Sequence, residues 1–175
     1  EWIPVRLLIL NPNTSEGITA RLLAVAQAAA APDTEVTALT ATRGFSYLAT
    51  RAEAQIGGAI VLEMLADHHE SHDAAVVAAF GDPGLFAARE LFDIPVVGMS
   101  EAAMLTACML GRRFGIVTFA QALGPWYEEC VDVHGLRGRL AGIRMADRAF
   151  QSVADVAEET EDLLVELAVR SVAED

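Results

Sequence analysis

Two hydrophobic periods alternate along the chain. Val5–Leu10 is an apolar run broken only by Arg6, the pattern of a buried strand. Asn11-Pro12-Asn13-Thr14-Ser15 interrupts it, and Asn13 followed three residues later by Glu16 has the spacing of a capping box. A helix is predicted over Ile18–Ala31, ended by Pro32-Asp33, with a second strand over Thr34–Thr40. Arg51–His72 reads as a long helix, Ala74–Phe80 as a strand, and Gly81-Asp82-Pro83-Gly84 as a turn. Leu85–Phe92 is a short helix and Pro95–Met99 a fourth strand. The pattern then restarts: helix Ser100–Leu110, strand Arg113–Phe119, helix Pro125–His134, strand Leu140–Met145 and a long amphipathic helix Val153–Val172.

Strands alternating with helices predict an α/β fold with parallel sheets. Arg6-Leu7-Leu8-Ile9 aligns with Arg113-Phe114-Gly115-Ile116 at an offset of about 107 residues, and the next strands keep it. The chain therefore reads as two pseudo-repeated halves, residues 1–98 and 99–175. In the first half the long helix leads into the strand Ala74–Phe80, whereas its counterpart runs to Asp175. The second half is thus expected to lack a strand, leaving an open edge. Either the chain continues beyond Asp175, the preferred reading, or a homo-oligomer partner covers that edge.

With 175 residues and 53% hydrophobic composition, the chain has material for a sizeable core. Twelve basic against twenty-five acidic residues give a net charge of −13, which argues against nucleic-acid partners and anionic membrane surfaces. No apolar run reaches the ~18–20 residues of a membrane helix, and Glu1–Leu10 is expected not to be a signal peptide. Two cysteines do not make a disulfide framework, so a cytoplasmic location is expected. All twelve basic residues are arginine. Without lysine the chain has no Schiff-base partner for pyridoxal phosphate and no Walker-type phosphate loop. No cofactor is expected.

Ligands of open α/β sheets bind beyond the carboxyl ends of the strands. The loops Asn11–Ser15, Phe80–Gly84 and Thr118–Gln121 leave such ends. The first two enter helices, and read either as an anion site or as plain helix capping and a tight turn. His68, His69 and His72 suit the negative end of a helix dipole better than a metal site, and the HExxH spacing is not met. No metal is expected. Cys108 lies among Ala, Met and Leu, and Cys130 stands beside Glu128 and Glu129, which disfavours a thiolate.

Asn11-Pro12-Asn13-Thr14-Ser15, Phe80-Gly81-Asp82-Pro83-Gly84-Leu85 and Pro95-Val96-Val97-Gly98-Met99 followed by Glu101-Ala102-Ala103 together resemble the hydantoin and allantoin racemases of the aspartate/glutamate racemase superfamily. The Ala88–Glu90 and Arg113–Thr118 segments fit as well, and the resemblance runs from about Val5 to the end. It implies two flavodoxin-like halves, a small carboxylate or hydantoin-like substrate, and cofactor-independent proton transfer by two cysteines. From the residues, a substrate site is expected at Asn11, Thr14, Ser15, Phe80, Gly81, Thr118 and Phe119, with a substrate carboxylate or enolate oxygen held by N–H groups around Thr14–Ser15 and Phe80–Gly81 and helped by the hydroxyls of Thr14 and Thr118. The chain departs from the family at one point: Ala79 occupies the position of the first cysteine. The second is expected on a strand after Asp175. Three readings follow. Ala79 is an engineered replacement in a racemase; or it marks a natural one-base branch acting as a decarboxylase or other lyase; or the pocket binds a small molecule without turnover.

Overall fold

Strand β1, Val5–Asn11, carries apolar side chains on both faces, as a central strand flanked by helices must. Its neighbours are β2 (Thr34–Thr40) and β3 (Ala74–Val77), both parallel to it. β4 (Val96–Gly98) extends the sheet beyond β3, giving the order β2-β1-β3-β4. The structure, a computed structural model, describes residues 4–118, 121–146 and 158–174. Its contacts divide the chain into two units, Glu1–Ser100 and Glu101–Asp175.

In the first unit, helices α1 (Glu16–Ala29), α2 (Arg51–His68) and α3 (Leu85–Leu91) connect the strands. The two-residue alternation of a strand sorts the side chains of β1 and β3. Leu8, Leu10 and Val77 turn to one face and form the core with Val61 and Leu65 of α2 and Leu85 of α3. Leu7, Ile9 and Val76 turn to the other, where with Ile18, Leu22 and Val25 of α1 they line an apolar groove of about 670 Å³. Thr50 and Glu53 form a reciprocal capping box at the start of α2. At the opposite end of the sheet, the Arg6 guanidinium and backbone N–H both bind the Asp73 carboxylate, at 2.8–3.2 Å. That pairing holds the Asp73 carboxyl at about 2, mainly through the Arg6 side-chain hydrogen bond.

Helix α4 (Met99–Leu110) follows β4 directly. In the second unit, β5 (Phe114–Thr118) pairs in parallel with β6 (Leu140–Met145), with α5 (Gly124–Val133) between them. Helix α6 (Glu158–Glu174) packs on both strands, its buried Ser171 seated over Gly115. Arg139 closes the end of α4, donating to the carbonyls of Cys108 at 2.8 Å and Gly111 at 2.6 Å. The two strand pairs end alike. Ala41 N–H donates to the Asn11 carbonyl at 3.0 Å, and Ala146 N–H donates to the Thr118 carbonyl at 2.9 Å.

Several predicted elements shift at their ends. The long helix stops as α-helix at His68 and continues as a 3-10 turn over His69–Ser71. β3 stops at Val77 because the chain turns there, although Ala78 N–H still reaches the Leu10 carbonyl at 2.8 Å. Residues 153–157 of the predicted last helix and Phe119 of the predicted fifth strand lie outside the described residues. Among the described residues, no helix is long and apolar enough to cross a membrane.

Candidate functional site

The parallel pairing of β1 with β3 places Leu10 opposite Val77. The loops after both strands consequently emerge at one end of the sheet, bringing Asn11, Thr14 and Ser15 to the same end as Ala79, Phe80 and Gly81.

The first loop is organised by Asn11, which is fully buried. Its Nδ2 donates toward Asn13 Oδ1 at 3.0 Å, Thr19 Oγ1 at 3.0 Å and the Ser15 carbonyl at 3.2 Å. Its Oδ1 accepts from Asn13 N–H at 3.2 Å. Thr19 in turn shares a 2.6 Å hydrogen bond with Thr40, which the sheet register sets opposite Asn11. The predicted capping box between Asn13 and Glu16 does not form. Asn11 draws the Asn13 side chain inward, where its Oδ1 accepts from Ser15 N–H at 2.9 Å, and Ser15 becomes the residue preceding α1. The expected anion-binding N–H groups of Thr14 and Ser15 are also engaged, since Thr14 N–H donates to the Phe45 carbonyl at 2.9 Å. What this loop presents are the half-exposed hydroxyls of Thr14 and Ser15, for which the structure gives no hydrogen bond among the described residues.

The second loop is sharply folded. Asp82 N–H closes a turn onto the Ala79 carbonyl at 3.0 Å, leaving Ala79 and Phe80 half-buried. Gly81 and Gly84 have φ of 103° and 80°, and Asp82 joins them at 49°, where a residue with a Cβ pays a steric penalty. Gly84 lies so close to α2 that a Cβ on Gly58 would meet its backbone nitrogen at 2.9 Å. The Asp82 carboxylate turns inward, accepting from Ser100 N–H at 2.8 Å and Ser100 Oγ at 2.5 Å.

In the second unit, Thr118 ends β5 as Asn11 ends β1. Its hydroxyl is hydrogen-bonded to Tyr127 of α5. Burial pushes the Tyr127 phenol above its usual range, and the Thr118 hydrogen bond opposes that shift. Phe119, the other expected substrate contact here, lies outside the described residues. Cys108 is half-buried and Cys130 buried, and neither is in a disulfide. The histidines serve the end of α2: His69 Nδ1 pairs with the Leu65 carbonyl and His72 Nδ1 with the His68 carbonyl, each at 2.9 Å. Among the described residues, no three His, Cys, Asp or Glu side chains gather to hold a metal ion.

Thr19, Thr40, Asp82, Ser100 and Tyr127 thus organise these strand ends without having been singled out as site residues in the sequence. Only the Asp82 turn carried a visible signal, its flanking glycines.

Two parallel α/β units of this kind, with polar loops gathered at strand carboxyl ends, define a small-molecule enzyme scaffold. Residues 7–175 match the Asp/Glu/Hydantoin racemase family, and the chain belongs to that family of isomerases. It is 31% identical to a hydantoin racemase from a Pseudomonas species, over 98% of this chain and 69% of that protein. A hydantoin racemase from Paenarthrobacter aurescens is 30% identical over 98% of the chain and 73% of its own length. Among solved structures, allantoin racemase from Klebsiella pneumoniae superposes with a TM-score of 0.92 at 34% identity, covering 98% of this chain and 70% of that one.

Proposed function

We propose that this chain is built on a cofactor-independent racemase of hydantoin-like amino-acid derivatives, with its first proton-transfer position occupied by Ala79. The observation that carries the reading is the position of Ala79 just past the carboxyl end of β3, at the same end of the sheet as the Asn11–Ser15 loop, in a chain whose relatives are named racemases. Two-base racemisation requires one group to remove the α-proton and another to deliver a proton to the opposite face. A thiol suits both tasks, because its pKa of ~8.5 can be lowered toward neutrality. A methyl group suits neither. The partner base is proposed to be the second cysteine of the family's two-cysteine scheme. A small carboxylate or cyclic amide is the substrate class, in a cytoplasmic setting.

The hydroxyls of Thr14 and Ser15 are proposed to stabilise the developing enolate oxygen, with the backbone at Phe80–Gly81 adjoining it. Asn11 acts one step removed, by holding the Thr14–Ser15 turn. Pre-aimed donors of this kind stabilise developing charge at little reorganisation cost.

The test is Ala79→Cys in a protein of the relatives' full length, assayed by chiral separation of a hydantoin or allantoin. A positioned acid or base contributes roughly 10²–10⁴ in rate, so racemisation should rise by at least about 100-fold. No gain in racemisation for either enantiomer refutes the racemase reading. Ala79 itself favours a second reading, one-base chemistry such as decarboxylation, which would then show as turnover of a small dicarboxylate by the unaltered protein.

A further inference from the structure

We infer that Asp82 is a positioning residue, which latches the Ala79–Gly81 turn to the first turn of α4 and thereby sets where the group at position 79 meets substrate. The inference rests on the racemase reading for its catalytic consequence, and on geometry alone for the latch.

Three independent features converge on this carboxylate. First, Asp82 is 7% exposed and Ser100 is fully buried, so their pairing is shielded from water. Ser100 N–H is one of the four amides that open α4 and have no partner within the helix. Asp82 Oδ1 accepts from it at 2.8 Å, while Oδ2 accepts from the Ser100 hydroxyl at 2.5 Å. The helix is therefore capped from a loop 18 residues earlier in the chain. Second, Asp82 holds a φ of 49°, and it alone among the non-glycine residues described has a positive φ. Such strain persists only where surrounding contacts over-determine it. Third, Gly98 leaves space for the carboxylate, because a Cβ there would collide with the Asp82 side chain and with Leu85. Each feature would lack a purpose if the turn only had to connect β3 to α3.

The consequence follows from the turn itself. Asp82 N–H bonds the Ala79 carbonyl at 3.0 Å, so the peptide that carries position 79 is joined to the latch through the Asp82 residue itself and one hydrogen bond. Releasing the carboxylate frees Asp82 to leave positive φ, and the turn loses the constraint on Ala79. Misplacement of a reacting group by about 1 Å can cost about 100-fold in rate without abolishing binding.

The experiment compares Asp82→Ala, Asp82→Asn and Ser100→Ala, each in the full-length Ala79→Cys protein. Racemisation kinetics and amide hydrogen exchange of residues 79–82 are measured on each. Asn tolerates positive φ and keeps an acceptor for Ser100 N–H, while the Ser100 hydroxyl can reverse to accept from its amide. Asp82→Asn should therefore stay within about threefold of the parent in kcat. Asp82→Ala should lower kcat by about 10–100-fold with KM changed less than about threefold, and exchange at 79–82 should accelerate while the sheet amides keep their protection. Ser100→Ala, which retains the backbone contact, should fall between the two. Unchanged local exchange in Asp82→Ala overturns the latch. Faster exchange with kcat unchanged overturns its catalytic role. If Ala79→Cys alone gives no racemisation, it is the racemase reading that fails, and exchange in the Asp82 variants still decides the latch.

Discussion

Replacing Asn11 with Ala removes the side chain that organises the first loop, and the hydrogen bonds around it allow the cost to be worked out. Most of its partners keep another contact. Asn13 Oδ1 still accepts from Ser15 N–H, the Ser15 carbonyl still accepts from Ile18 and Thr19 N–H, and Thr19 still pairs with Thr40. The Asn13 N–H, in a buried residue, loses its acceptor. One orphaned buried donor costs about 1–3 kcal/mol. The void left by the carboxamide adds roughly 1 kcal/mol, so Asn11→Ala should destabilise by about 2–4 kcal/mol. Asn11→Asp is the sharper comparison, because it keeps Oδ1 for Asn13 N–H but turns an acceptor toward Asn13 Oδ1 and the Ser15 carbonyl. At neutral pH it should be worse than Ala, since breaking the pairing of a buried charge costs roughly 3–5 kcal/mol and this carboxylate would face two other acceptors. The carboxyl pKa at that site should be raised, so the penalty is absent below the unfolded value of ~3.9 and grows as pH rises above it. Urea denaturation of the three proteins across pH 4–8 reads both effects. If Asn11→Asp matches the parent at pH 7, the amide donates nothing and the described network is wrong.

Three further outcomes are expected. Gly58→Ala gains about 1 kcal/mol in helix propensity, yet its Cβ would lie 2.9 Å from the Gly84 backbone, so a net lower denaturation midpoint is expected and a higher one would contradict the close approach. The Asp73 carboxyl is depressed to about 2 by Arg6, so the contribution of this ion pair is present above pH ~4 and fades as pH falls through about 2. The midpoint difference between the parent and Asp73→Asn, followed by acid titration, should vanish at the low end; a constant difference would count against the pairing. Tyr127→Phe should cost about 0.5–1.5 kcal/mol through loss of the Thr118 hydrogen bond, measured by thermal melting, and no change would refute that contact.

The strands Thr34–Thr40 and Leu140–Met145 were legible to the residue, because each is a short strand-favouring segment bounded by turn chemistry within its own few positions. So was the loop set at the strand carboxyl ends, which follows from parallel topology. The capping box at Asn13 was misread because the decision between local partners is made by Asn11, and Asn11 is held by Thr19 across from Thr40. That alignment exists only once β1 and β2 are in register. Asp82 was equally opaque. A Gly-Asp-Pro-Gly string announces a turn, but not that its carboxylate caps a helix beginning beyond the next strand. Local signals gave elements and their order, whereas the polar contacts that aim the site depend on strand register and on the packing of loops.

The most direct test of the central claim is α-proton exchange in D₂O, followed separately for each enantiomer of a hydantoin or allantoin, before and after Ala79→Cys in the full-length protein. On the proposed two-base mechanism, each face of the substrate has its own base. The Ala79 protein should therefore exchange the proton of at most one enantiomer, and Ala79→Cys should add exchange of the other together with interconversion. Equal exchange of both enantiomers with Ala79 in place would contradict the account, as would no gain on introducing the thiol.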